Sequence, residues 1–212
     1  MTKKQANRFK SLFNRYYQTE SSLSTRQENV CQLNTLPFRK QLNRFLSEGK
    51  HYLIQSDTYT KLVPDSVAKR YFFKNAGIYN SGDYYDAFDG IASPKYNMMN
   101  PYRVQSSSHQ NQMAHENGHS IHDMFNKKDM QTLSRLYKKA KREGRILDHY
   151  ASANQYEYFA QGCDAFASKY KPHKSLMSNN PTVSGLGHTV YELMDRDPEL
   201  FKFIKKVLKK YH

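Results

Sequence analysis

The stretch HQNQMAHENGHSIHDMF, residues 109–125, decides how this chain is read. It contains His115-Glu116-Asn117-Gly118-His119, an H-E-x-x-H string. On a helix, positions i and i+4 lie about 40° apart and one turn up, so His115 and His119 can aim an imidazole nitrogen at the same point. Glu116 sits about 100° round from His115 and reaches a neighbouring point instead. Two ligands and a base are the parts needed to hold a metal and activate a water beside it. The bland alternative is a helix that carries surface histidines, because three fixed positions in five recur by chance.

A catalytic zinc needs a third protein ligand. A continuation with a histidine ten positions after the first fails here, because Phe125 stands at that position. His122 lies on the same face, but one straight helix does not easily wrap three ligands round one ion. It reads as a residue beside the site, at the surface or facing substrate. The remaining source is a second helix. The run DHYASANQYEYFAQGCDAFASKY, residues 148–170, offers Glu157 among Tyr158, Phe159, Ala160, Ala165 and Phe166. A carboxylate on such an apolar face is costly unless paired, and a zinc ion would be that pairing. The alternative is a glutamate pointing outward from the start of a helix.

HENGH, followed by Tyr150 and then by Glu157-Tyr-Phe-Ala-Gln-Gly-Cys-Asp-Ala-Phe, resembles the catalytic domain of the anthrax lethal factor family, which includes the lethal-factor-like and Pro-Pro endopeptidase zinc proteases. Tyr150 stands seven positions before Glu157, as in that pattern. The likeness is detailed over residues 107–170 and loose over 50–205. It implies one Zn2+ per chain held by His115, His119 and Glu157. It implies Glu116 as general base and Tyr150 as donor to the oxyanion of the tetrahedral intermediate. On composition alone Tyr150 is one of 17 tyrosines and an ordinary core residue. The fold implied is α+β and mainly helical, zincin-like (gluzincin type), with a small twisted sheet above the H-E-x-x-H helix and a helical C-terminal subdomain. Ala76-Gly77-Ile78-Tyr79-Asn80 falls where the family keeps an edge strand that binds substrate by strand addition; the alternative is a short structural strand.

The chain departs from the family pattern at three places. Gln161 replaces a glutamate one turn after Glu157; it can still accept a hydrogen bond from a histidine ligand, and Asp164 is a candidate to take over the charge. Gly162 lies inside the helix at a cost of about 1 kcal/mol against alanine. Asn117 replaces a more typical apolar residue. None removes a group that hydrolysis requires.

The rest of the sequence sets limits. At 212 residues it suits one large domain or one domain with an extension, divided here as an N-terminal helical segment 1–48 and a catalytic domain 49–212, or one continuous domain. Lysine and arginine number 33 against 19 aspartates and glutamates, a formal charge of +14. That excess reads as solvated helix faces, or as attraction to an acidic peptide or protein substrate; no nucleic-acid motif accompanies it. Cys31 and Cys163 lie far apart and allow at most one disulfide, with no Cys-based zinc site. No apolar run is long enough for a membrane span. The basic N-terminus lacks the apolar h-region of a signal peptide. These features suggest a cytoplasmic chain, an effector exported by a non-Sec route, or a chain whose leader is missing.

Helices are predicted over 5–17, with Phe9, Leu12, Phe13 and Tyr16 on one side, from Pro37 to about Ser47, and from Asp65 to about Lys74. Four more are predicted over 107–126, 129–143, 153–170 and 197–210. Ser106, Ser107 or Ser108 is expected to cap the first of these four, and Asp197-Pro198 to open the last. Tyr52–Gln55 and parts of 76–94 read as short strands. His173 and His188 read as surface residues or as neighbours of the site, and not as ligands. A rival reading keeps the scaffold without the chemistry, as a catalytically silent, basic binding or inhibitory module. The intact Glu116 argues against it, since a buried base with no water to activate is only a liability.

Overall fold

The computed structural model describes residues 3–19, 35–41, 50–53, 90–92, 96–99, 112–167 and 189–211. This part is mainly helical. The helices are α1 (Lys3–Tyr16), α2 (Gln112–His122), α3 (Lys127–Arg142), α4 (Gln155–Ala167), α5 (Val190–Arg196) and α6 (Pro198–Lys210). Single 3-10 turns cover Leu36–Phe38 and Tyr150–Ser152. Short strands β1 (Tyr17–Thr19), β2 (Lys50–Leu53), β3 (Gly90–Ala92) and β4 (Tyr96–Met99) pair in the order β1-β2-β4-β3. The first two pairings are parallel and the last is antiparallel. β1 and β2 lie on either side of the division expected at residue 48. The expected helix 65–74, the serines at 106–108, Ala76–Asn80, Cys31, His173 and His188 lie outside the described residues.

Local chemistry sets the helix ends. α2 stops at His122 rather than running to 126, because the chain turns there through bonds from Met124 N–H to Ile121 O and from Phe125 N–H to His122 O. Asn126 then opens α3, its side chain accepting from Asp129 N–H at 2.9 Å. At the other end of α3, Gly144 takes φ 67°, and Arg145 N–H bonds back to Ala140 O at 2.8 Å. That left-handed closing residue is one that glycine adopts without a Cβ clash. Asn154 starts α4 by accepting from both Tyr156 N–H and Glu157 N–H at 2.9 Å. α5 has no counterpart among the helices expected from the sequence, although Thr189 and Glu192 form a reciprocal capping box at its start.

α4 is the centre of the core. Tyr158, Phe159, Ala160, Cys163 and Ala165 are fully buried on it, against Leu200, Phe203, Ile204 and Val207 of α6. Burying a side chain the size of Phe159 contributes about 1.5–3 kcal/mol. The glycine inside α4 has a packing cause. A Cβ on Gly162 would come within 2.6 Å of Leu200 Cδ2, so α6 lies where only a hydrogen fits. Gly118 plays the same part between α2 and α4, where a Cβ would stand 3.0 Å from Ala160 Cα and from Cys163 Cβ. The close approach at Gly118 brings the H-E-x-x-H helix onto the helix that carries Glu157, and the one at Gly162 seats that helix on α6.

A buried polar knot ties α4 and α6 to the end of α3. Asp197, which caps α6 through Leu200 N–H at 3.1 Å, also accepts from Arg145 and from the Tyr158 hydroxyl. Arg145 reaches Glu199 as well, at 2.9 Å. Removing this buried carboxylate takes the acceptor from the half-buried Arg145, from the buried Tyr158 hydroxyl and from the start of α6, at a combined cost of about 3–5 kcal/mol. Asp197→Ala is therefore expected to lower Tm by on the order of 10 °C in a thermal melt. A change of only a degree or two would show the knot to be dispensable.

Candidate metal centre

α2 and α4 place three donor atoms at one point. His115 Nε2 lies 3.1 Å from His119 Nε2 and 3.1 Å from Glu157 Oε2; His119 Nε2 lies 3.5 Å from Glu157 Oε2. His115 and Glu157 are buried and His119 is half-buried. Among the described residues no other group of three or more His, Cys, Asp or Glu is placed to hold a metal ion. His122, one turn on, stays outside the group. Its ring packs at a tilt against Tyr156, 4.5 Å between centroids, with Nε2 3.5 Å from Asp123 Oδ1. Burial, and then the charge of His119, push its pKa down to about 4, so it is neutral near pH 7.

The protonation of His115 follows from its neighbours. Asp148, nearly fully buried, faces the Gln161 amide, and a carboxylate can only accept. Gln161 Nε2 therefore donates to Asp148 Oδ2 at 2.6 Å, which turns Oε1 toward His115 Nδ1 at 2.9 Å. His115 must donate from Nδ1, so in the neutral ring Nε2 carries a lone pair. That lone pair faces His119 Nε2 and a carboxylate oxygen.

Acceptors set this closely repel one another unless a cation or a proton lies between them. Tetrahedral zinc at about 2.0–2.1 Å from its ligands puts neighbouring donors about 3.3 Å apart, close to the distances here, and the donor set is one zinc accepts. Among the described residues Glu157 Oε2 is buried with no hydrogen bond of ordinary geometry, and its two near neighbours are the imidazole nitrogens of His115 and His119. Without a metal, protons take up the strain. Burial disfavours charge on His115, but the hydrogen bond to Glu157 and the Glu116 charge outweigh it and raise its pKa. Burial likewise opposes the Glu157 carboxylate, while hydrogen bonds and charge from His115 and His119 hold its pKa well below the carboxylate range. Both shifts mark a place that favours positive charge.

Glu116 is buried beside the cluster. Burial raises its pKa, with the two imidazoles pulling the other way and Glu157 adding to the rise. Tyr150, on the 3-10 turn before α4, is half-exposed, and its ring centroid lies 5.8 Å from that of His115. The structure thus brings His115, His119, Glu157, Glu116 and Tyr150 into one neighbourhood. Asp164, the candidate to replace the missing glutamate charge, is buried and adds negative potential at His115, but the hydrogen bond to the ring Nδ1 is made by Gln161. Asp148 was not among the residues expected at the site from the sequence. Its one local signal is the short D-x-x turn in which Oδ1 accepts from Ala151 N–H at 2.6 Å. Cys163 is buried against α2, and burial keeps its thiol protonated. Among the described residues no helix is long and apolar enough to cross a membrane. No protein-family model and no curated protein matches the chain.

Proposed function

We propose that this chain is a zinc-dependent endopeptidase of the glutamate-zincin type, with His115, His119 and Glu157 as ligands. The observation that carries the reading is the convergence of two imidazole nitrogens and a carboxylate oxygen, with the His115 lone pair turned inward by Gln161. β3 and β4 lying against α2, with α4 on its other contacts, support the zincin layout of strands above the metal helix and helices below. Bound zinc would supply Lewis-acid polarisation of a peptide carbonyl and acidify a water at the site. Glu116 takes the proton from the attacking water and hands it to the leaving amine. Tyr150, half-exposed at the rim, donates its hydroxyl to the carbonyl oxygen as negative charge builds there. The substrate is a peptide or protein, and the net charge of +14 favours an acidic one.

The test is cleavage of a mixed peptide library by the zinc-loaded protein, read by mass spectrometry. Cleavage that a chelator abolishes and added zinc restores is expected. Stoichiometric zinc with no cleavage of peptides or unfolded proteins would leave the silent binding module as the reading.

A further inference from the structure

We propose that Asp148 is a positioning residue that sets both halves of the site, one with each carboxylate oxygen; this rests on the metal reading above. Oδ2 accepts from Gln161 and so fixes which end of the amide meets His115. Oδ1 accepts from Ala151 N–H at 2.6 Å and holds the turn that presents Tyr150. Asp148 is 2% exposed and Gln161 is fully buried, so water does not compete for either contact. A glutamate at position 161 would orient the histidine alone. A glutamine cannot, because its two ends are nearly the same shape and only a fixed acceptor behind it selects one. Asp148 is that acceptor, and it makes the glutamine at position 161 compatible with a metal-binding histidine.

A reciprocal pair of substitutions tests the relay. In Asp148→Asn the oxygen stays on Ala151 N–H and the new amino group faces the Gln161 amino group. Gln161 then turns over and offers its amino group to His115 Nδ1. The ring answers by moving its proton to Nε2, where a metal would bind. Zinc affinity, measured by competition with a chromophoric chelator, is expected to fall about 10–100-fold. Adding Gln161→Glu restores an acceptor at both ends of the relay, because the asparagine amino group now donates to the carboxylate introduced at position 161. The double variant Asp148→Asn/Gln161→Glu should recover wild-type affinity to within a few-fold. Asp148→Ala/Gln161→Glu should recover zinc affinity as well, since a glutamate orients the histidine alone, but not the Tm, since the contact to the Tyr150 turn is gone.

The same variants are melted without metal. A Tm shifted by Asp148→Asn and returned in the double variant establishes the donor–acceptor pairing independently of zinc. No recovery of Tm overturns the relay. Recovery of Tm with zinc affinity unmoved by Asp148→Asn overturns the orienting role, leaving an ordinary buried hydrogen bond. Wild-type protein that binds no zinc, while the Tm cycle still closes, overturns the metal reading and the orienting role with it, and leaves the relay itself intact.

Discussion

Glu157→Gln is expected to bring the zinc content of dialysed protein from about one ion per chain to near zero, with the helical circular dichroism unchanged. Glutamine has the shape of the residue it replaces, so the contacts among Tyr158, Phe159 and the α6 side chains are kept. What it loses is the charge. The remaining donors are two imidazole nitrogens 3.1 Å apart, and their third neighbour becomes a neutral amide that faces the same point. Disturbing a residue behind a ligand already costs about 10–100-fold in affinity, and losing an anionic ligand costs more. A second reading comes from the melting curve. Zinc at about 1,000 times its dissociation constant stabilises a protein by about 4 kcal/mol, because it binds the folded state alone. Wild-type Tm should therefore rise when zinc is added and fall with a chelator, while Glu157→Gln should respond to neither. Zinc retained at full stoichiometry by the variant would remove α4 from the site and with it the two-helix centre.

How much of this was legible beforehand depends on how local each feature is. His115, Glu116 and His119 share one helix, so a 3.6-residue period places them together without knowledge of the fold. Glu157 could be singled out because its neighbours are apolar, and the structure buries it there. Helix starts were legible where a side chain acts on its own turn, as Asp197 does before Pro198. Three features depended on pieces distant in sequence or in space. α2 ends early because the chain must turn into the cap at Asn126, whose N–H donates to the Tyr211 hydroxyl, beyond α6, at 3.0 Å. Gly162 is explained only when Leu200 of α6 arrives against it. Asp148 gains its meaning through Gln161, which in turn touches His115 on another helix. Gln161 is the instructive residue: taken alone it weakens the family pattern, and with Asp148 behind it the hydrogen bond that a histidine ligand needs is still made.

Glu116→Gln separates binding from chemistry. The variant should keep its zinc and the zinc-dependent rise in Tm, because Glu116 is no member of the donor group formed by His115, His119 and Glu157. Its cleavage of a substrate found in the library screen should fall by at least about 10²–10⁴-fold, the usual share of a positioned general base, with the loss in kcat rather than in KM. Glutamine keeps a hydrogen-bond acceptor at the same place but cannot take a proton, so substrate is still bound and water is no longer activated. The buried position sharpens the contrast, since water has little access through which to substitute for the missing base. A variant that loses zinc together with activity would show Glu116 to be part of the binding site and not the base. One that keeps both would move the proton transfer to another group. Zinc held and turnover lost is the one result that joins the H-E-x-x-H string to peptide hydrolysis rather than to a metal-stabilised scaffold.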